Sequence, residues 1–323
     1  MPQAVRVHEV GGPEVLRVEE IDQQQPGRND LLVDVAAAGV NYIDTYHRSG
    51  LYPLDTPFGL GLEGAGTVSA VGAGVSNHRP GDRVAWAAAP GSYATQVVVP
   101  ATHAVTVPQG VSAQVAAALM LQGMTAHYLI ASTYPVAQGD WVLVHAGAGG
   151  VGLLLIQLAT ARGGKVIATA STTEKRSLCT AAGAVDALDY PGFADRVHEL
   201  TGGEGVAVVY DGVGASTFDA SLASSRIRGT VVLFGAASGP VPPLDLQRLN
   251  SSGSLFVTRP MLAHYTRDHA ELTWRAGELF DAVRSGALDV RIGQRYPLQD
   301  ARQAHEDLEA RRTTGKLLLL PRA

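Results

Sequence analysis

Between residues 141 and 234 the chain alternates apolar runs with helix-like stretches, and this rhythm restricts its fold more than any other feature. Runs 141–145, 165–170, 206–211 and 230–234 read as strands; helices are predicted over 151–162, 174–182 and 217–224 between them. Consecutive strands separated by helices pair in parallel, because each crossover must bring the chain back to the same end of the sheet. The expected fold is therefore α/β, with a doubly wound parallel sheet in the middle of the chain.

The turn after the first of these strands is Gly147-Ala148-Gly149-Gly150-Val151-Gly152. It matches G-x-G-x-x-G, a weak pattern alone and a stronger one between an apolar strand and an apolar helix. Bare glycines let the backbone approach a pyrophosphate, and the unpaired amides of the helix N-terminus face that anion. The alternative is a tight strand-to-helix turn with no ligand. At the end of the next strand, where an acid would hold the ribose 2′-hydroxyl of NAD, the chain reads Ser171-Thr172-Thr173-Glu174-Lys175-Arg176. Small hydroxyls and two cations favour the 2′-phosphate of NADP. The same residues also fit a capping box in which Glu174 turns back to the amide of Ser171, with Lys175 simply solvated.

Outside this segment the grammar differs. Short β-like runs at 31–35, 67–71, 83–86 and 94–99 lie between Gly, Pro and Asp turns and predict a strand-rich first domain. Ser112 caps a helix over 113–121, a second helix follows over 125–132, and amphipathic stretches at 271–285 and 298–311 precede an apolar run at 317–320. A terminal strand after so long a detour returns to the first domain. The expected organisation is residues 1–122 plus 264–323 as a catalytic domain, with a nucleotide domain at 123–263 inserted into it.

With 46% hydrophobic and 17% charged residues in 323, the chain is long and apolar enough for two cores. A net charge of −5 gives no reason to expect nucleic acid or an anionic membrane, and no apolar run approaches a membrane span. The protein is read as soluble and cytoplasmic. One cysteine, Cys179, allows neither an intrachain disulfide nor a cysteine-rich zinc site, and it reads as a small buried side chain. No G-x-S-x-G elbow and no P-loop is present, which argues against a hydrolase of that type and a P-loop ATPase.

Three separated segments carry a resemblance that spans nearly the whole chain: residues 39–53 (Gly39-Val40-Asn41-Tyr42 through Tyr52-Pro53), residues 145–152, and Val257-Thr258-Arg259-Pro260. Together they resemble the zinc-free quinone oxidoreductases of the medium-chain dehydrogenase/reductase superfamily. The resemblance implies a Rossmann sheet inserted into a GroES-like catalytic domain, NADPH as cofactor, and a small quinone as substrate. It places Asn41, Tyr46 and Tyr52 along the nicotinamide and substrate cleft. On the nucleotide it places Asn41, Thr125, Ala148, Gly149, Gly150, Val151, Ser171, Lys175 and Tyr190. Phe234, Gly235 and Ser238 come behind the nicotinamide ribose, with Thr258 and Arg259 near the carboxamide. From the residues alone, Tyr46 and Tyr52 equally pack under a loop, and Asn41 equally satisfies a buried turn.

Zinc-dependent members of that superfamily carry ligands where Asn41, Leu62 and Gln122 stand here, and Glu63 alone cannot hold the metal. The resemblance thus implies hydride transfer to an acceptor already electrophilic, such as a quinone, without a Lewis acid. Asp44 is read as a hydrogen-bond partner within its loop, with a general acid as the lesser alternative. An activated carbon–carbon double bond is the rival substrate, and an NADPH-binding regulatory or structural protein with little turnover is the rival outside enzymes. The short apolar strand at 254–257 could lie at a sheet edge, where the resemblance implies pairing into a homodimer.

One consequence is open to measurement. Charge-assisted hydrogen bonds are worth roughly 1.5 to 3 kcal/mol, so Lys175→Ala is expected to weaken NADPH about tenfold or more relative to NADH. An unchanged NADPH-to-NADH affinity ratio in fluorescence titration would remove the assignment of Lys175.

Overall fold

The first part of the chain folds into strands separated by turns rich in Gly, Pro and Asp, and two of the strands, β3 and β5, run longer than the apolar stretches at 31–35 and 67–71 foretold: β1 (Gln3–Val7), β2 (Arg17–Glu20), β3 (Asp30–Val40), β4 (Phe58–Gly59), β5 (Glu63–Val71), β6 (Arg83–Trp86), β7 (Gln96–Pro100) and β8 (Ala104–Thr106). Helix α1 (Tyr42–Ser49) follows β3, and α2 (Ala113–Leu119) and α3 (Gln122–Tyr128) come after β8. Then the alternation begins: β9 (Trp141–Val144), α4 (Gly150–Ala161), β10 (Lys165–Thr169), α5 (Thr173–Ala181), β11 (Asp186–Leu188), α6 (Phe193–Leu200), β12 (Val206–Asp211), α7 (Phe218–Ala223), β13 (Ser225–Leu233), α8 (Gln247–Ser251) and β14 (Phe256–Thr258). The chain ends with α9 (His269–Arg284), β15 (Ile292–Pro297), α10 (Ala301–Glu309) and β16 (Lys316–Leu320). This computed structural model describes residues 1–322.

Contacts divide the chain into one unit of Met1–Met124 with the stretch from Thr266 onward, and a second of Thr125–Tyr265. Each boundary lies two residues beyond the expected position. No single helix among the described residues is long and apolar enough to cross a membrane.

In the first unit a three-stranded sheet (β2-β1-β4) accompanies a larger one ordered β15-β16-β3-β5-β6-β8, with β7 also pairing β3. The terminal strand β16 runs antiparallel to β3, Leu318 opposite Gly39, while Gly39 on its other side lies opposite Glu63 of β5. Val33, Val35, Val68, Trp86, Tyr93, Leu317 and Leu319 share one core. Burying a leucine side chain such as Leu317 or Leu319 contributes about 1.5 to 3 kcal/mol, so the last strand is a main contributor to this unit.

The second unit is a six-stranded parallel sheet ordered β11-β10-β9-β12-β13-β14. Leu143, Ile167, Val209 and Val231 on its strands pack with Phe193, Phe218 and Leu222 from its helices. The order runs outward from β9 in one direction and from β12 in the other, so the crossover of the fold lies between them. Strand β14 is an edge, and Phe256 on it is exposed.

Three local readings are corrected. The region of Tyr46 and Tyr52 is not a loop throughout: residues 42–49 form α1, which Gly50 ends in the left-handed conformation with Tyr52 following. Its brevity and its polar or charged side chains at Asp44, Thr45, His47, Arg48 and Ser49 hide it from a periodicity reading. Helix α5 is capped by Thr172, whose hydroxyl accepts from the amide of Lys175, and not by Ser171, which lies one residue outside. Strand β11 and helix α6 had no counterpart in the sequence reading; three half-buried residues make too short a run to register.

The glycine turn is also a packing device. A Cβ on Gly147 would come within 2.8 Å of Cys179 Sγ and 2.9 Å of Ala168 Cβ, so buried Cys179 fills the space beneath the turn. Burial pushes that thiol up to about 11, consistent with a packing role. On Gly152 a Cβ would collide with the Ala146 carbonyl and reach the Gly147 Cα at 2.7 Å. These are backbone atoms and cannot rotate away. Gly152→Ala is therefore expected to cost about 1 to 3 kcal/mol, as overpacking does, read as a lowered melting temperature; a melting temperature at or above wild type would contradict this.

Candidate functional site

Parallel strands all present their carboxyl ends at one edge of the sheet, and in doubly wound folds ligands bind there. Ala148, Gly149, Gly150 and Val151 follow β9; Ser171 and Lys175 follow β10; Tyr190 follows β11; Phe234, Gly235 and Ser238 follow β13; Thr258 ends β14 and Arg259 follows it. One edge thus gathers residues that sequence scatters over more than a hundred positions. Thr125 stands apart from this set, buried within α3.

Several of these residues are held in place. Gly149 is the N-cap of α4 and makes no side-chain cap, so the first amides of that helix have no side-chain acceptor at the cap. The Phe234 ring lies against Gly212, where a Cβ would come within 2.9 Å of it, and Gly235 packs onto the Gly212 backbone. Ser238 Oγ donates to the Val213 carbonyl (2.8 Å) and accepts from the Ser216 amide (3.0 Å). Arg259 donates to the Leu233 carbonyl at 3.0 Å.

Beneath this edge runs a polar chain that the sequence reading did not find. His145 Nδ1 lies 2.8 Å from Thr169 Oγ1 and Nε2 3.0 Å from Ser221 Oγ, and Ser221 Oγ lies 2.8 Å from Asp211 Oδ2. Burial lowers the His145 pKa, with Asp211 opposing. With a neutral ring, the donors run in one direction. Thr169 donates to Nδ1, Nε2–H donates to Ser221, and Ser221 donates to Asp211. Asp211 Oδ1 also accepts from the amides of Val213 and Gly214, at 2.8 and 3.0 Å. The chain ties together the ends of β9, β10 and β12, the strands on either side of the crossover. No spacing rule could have found it, since its members come from four separate elements.

In the first unit Asn41 is fully buried as the N-cap of α1. Its side chain meets Glu63, Gln122 and Lys316, and its backbone N–H donates to Asp44 Oδ2 at 2.8 Å. Asp44 also accepts from Tyr93 OH at 2.8 Å, and its Oδ1 is buried without a hydrogen bond among the described residues. Behind Tyr93 lies His305, at 3.3 Å from Nε2, and Arg48 Nη1 sits 3.0 Å from His305 Nδ1. Arginine only donates, so His305 Nδ1 accepts and Nε2 carries the proton. Burial and the Arg48 charge push His305 down to about 3, which keeps it neutral. Arg48 itself pairs with Glu309 at 2.7 Å.

Asp44 is thus a buried carboxyl facing Tyr93, the Asn41 amide, and the more distant charges of Lys316 and Glu63. Burial dominates and raises it to about 7. Its place at the third position of α1 agrees with the hydrogen-bonding role expected of it. Farther along the helix, Tyr46 and Tyr52 meet edge to face with centroids 5.3 Å apart, and Tyr42 lies 6.4 Å from Tyr46. Asn41, Tyr46 and Tyr52 are therefore presented by one short helix and the turn after it.

A strand-rich unit closed by the chain's own C-terminal strand, with a doubly wound unit inserted into it that carries a bare glycine turn at its crossover, defines a nucleotide-dependent dehydrogenase or reductase. Comparison with known proteins agrees. Residues 27–109 match the alcohol dehydrogenase GroES-like domain and residues 150–270 the zinc-binding dehydrogenase family. A quinone oxidoreductase of Salmonella typhimurium is 45% identical over 99% of this chain and 100% of its own length. A 2-haloacrylate reductase of a Burkholderia species is 39% identical over the full length of both. A mycobacterial protein solved in complex with NADPH is 57% identical, with a TM-score of 0.97 over 99% of this chain and 100% of its own. The chain belongs to the quinone oxidoreductases of the medium-chain dehydrogenase/reductase superfamily and is an oxidoreductase.

The state of Asp44 links stability to pH. Its folded pKa lies above the unfolded value of 3.8, so its stabilising contribution is full below that value and is lost as pH rises through about 7. Asp44→Asn mimics the protonated form and keeps an acceptor for Tyr93. The melting temperature of wild type relative to this variant is expected to fall between pH 4 and 7 and then level off, about 2 to 4 °C for each kcal/mol. A difference flat across that range would contradict the raised pKa.

Proposed function

We propose that this chain is an NADPH-dependent quinone reductase that works without zinc. The observation that carries the reading is the strand-end constellation. A helix N-terminus without a side-chain cap, Gly149 and Gly150 on it, and Ser171 with Lys175 one strand away suit a pyrophosphate and a 2′-phosphate, respectively. Tyr190 would cover the adenosine end, Phe234, Gly235 and Ser238 the nicotinamide ribose, and Thr258 and Arg259 the carboxamide, with Thr125 completing the set; the Asn41 side chain, whose hydrogen-bonding positions are all taken within the first unit, is left out of it. The NADPH complex of the mycobacterial relative supports this choice of nucleotide.

The cofactor supplies a hydride at nicotinamide C4. The overall change is NADPH, a proton and a quinone giving NADP⁺ and a hydroquinone. A quinone is electrophilic as it stands, so the protein's task is to orient it. Tyr46 and Tyr52 offer aromatic faces and edges suited to a planar ring. Zinc does not suit the residues present. Asparagine, leucine and glutamine stand at 41, 62 and 122, and the polar cluster there contains the ammonium of Lys316, which repels a second cation. The exposed β14 edge, with Phe256 on it, is the surface on which we place pairing of two copies.

The 2-haloacrylate reductase relative supports a second reading, hydride transfer to an activated carbon–carbon double bond. NADPH oxidation measured side by side with 1,4-benzoquinone, 9,10-phenanthrenequinone, a 2-alkenal and 2-chloroacrylate separates the two. Quinones are expected to lead in kcat/KM by about tenfold or more. Preference for the alkenal or haloacrylate would transfer the assignment to the second reading, and tight NADPH binding with no oxidation by any acceptor would refute both.

A further inference from the structure

Lys316 is 1% exposed and Glu63 is fully buried, an ion pair inside the first unit that the reaction above does not use. They come from strands on either side of β3 and meet over Gly39. A Cβ on Gly39 would collide with the Glu63 carboxylate and come within 2.7 Å of Lys316 Cε, so the glycine leaves the pair its space. Glu63 Oε1 also accepts from the Leu121 amide at 2.5 Å.

The side chain between these two charges is Asn41. Its Nδ2 donates to Glu63 Oε2 at 2.8 Å and to the Gly39 carbonyl at 3.3 Å; its Oδ1 accepts from Lys316 Nζ at 2.8 Å and from Gln122 Nε2 at 3.0 Å. A carboxamide has two protons to donate and two lone pairs to share, and all four are taken. A carboxylate on one side and an ammonium on the other also decide which way the amide faces, since the flipped form would point a donor at a donor and an acceptor at an acceptor.

We propose that Lys316 and Glu63 are positioning residues of the acceptor site, and that Asn41 is the strut they hold instead of a hydrogen-bond partner for substrate. Asn41 ends the strand-to-helix link and begins α1, which carries Tyr46 and leads to Tyr52. Fixing its amide fixes the first turn of that helix. The role given to Asn41 by family resemblance changes accordingly: its contribution is order, and the aromatic side chains beyond it make the contact. This inference rests on the reductase reading for its kinetic consequence and on the first unit alone for its structural one.

The test uses the full-length protein and three variants, Lys316→Met, Asn41→Ala and the double Glu63→Gln/Lys316→Met, with two readouts. Hydrogen exchange of peptide 41–52 reads the order of α1, with peptide 141–170 as an internal reference. Turnover of 1,4-benzoquinone and the NADPH dissociation constant read function. In Lys316→Met and Asn41→Ala, exchange of peptide 41–52 is expected to quicken about tenfold or more, with the reference peptide unchanged. In both, kcat should fall about tenfold or more while the NADPH constant holds. The double variant leaves no unpaired charge, so it should recover melting temperature but keep fast exchange and low kcat. A purely structural ion pair would let kcat recover with melting temperature. Wild-type exchange and turnover in folded Lys316→Met, or in the double variant if the single one does not fold, would overturn the proposal. So would Asn41→Ala that loses turnover with exchange unchanged, the signature of a direct substrate contact. Should the wild-type chain fail to oxidise NADPH with any of the acceptors, the reductase reading fails while the exchange arm still decides whether the strut exists.

Discussion

An ammonium and a carboxylate removed from water must find their partners inside the protein, and the first unit sets Lys316 against Glu63 with Asn41 and the Leu121 amide completing the arrangement. Desolvation alone lowers the lysine pKa, and the carboxylate beside it opposes that shift. Removing one partner from a buried pair typically costs about 3 to 5 kcal/mol, because the survivor is left uncompensated. The consequence reaches beyond the two side chains. Strands β16, β3 and β5 must keep their register for the charges to meet, Gly39 must stay bare between them, and Asn41 is held wherever the pair puts it. The start of α1 follows from that placement.

The two units handle buried polarity by a shared rule. In the inserted unit, donors run from Thr169 through His145 and Ser221 to Asp211; in the other, from Arg48 through His305 and Tyr93 to Asp44. Each chain contains a neutral histidine whose tautomer is fixed by a donor at Nδ1, and each ends on a carboxylate. They differ at that end. Asp211 is answered by two backbone amides and two hydroxyls, whereas Asp44 keeps one oxygen without a partner, and its pKa rises to about 7. The first carboxylate braces the strand ends of the inserted unit. The second changes state near neutrality.

Much of the inserted unit was legible in the sequence for a simple reason. Strands covered on both faces are written as unbroken apolar runs, so 206–211 could be read off directly, and the glycine turn stood where the first such run ended. The first unit was harder. Helix α1 contains Thr45, His47 and Arg48 among its eight residues and offers no apolar stripe to count. Glu63 was visible as a retained acid, but its partner lies 253 residues away, in the midst of a C-terminal segment whose apolar run begins just after it. Nothing local marks Lys316 as buried. Capping was misplaced by one residue at Thr172 because Ser171 and Thr172 are equally good caps on paper, and only the course of the backbone chooses between them.

That separation also has a meaning in time. A chain made from its N-terminus at about 5 to 20 residues per second exposes Glu63 and Asn41 long before Lys316 exists. The inserted unit is complete in sequence by Tyr265, while the strands before it still lack their closing member. During that interval β3 lacks its β16 partner at Ala38, Gly39 and Val40, and Glu63 has no Lys316 beside it. The first unit is thus the last part of the chain to be finished, and a ribosome that stops a dozen residues short leaves Glu63 and Asn41 without the ammonium that faces them.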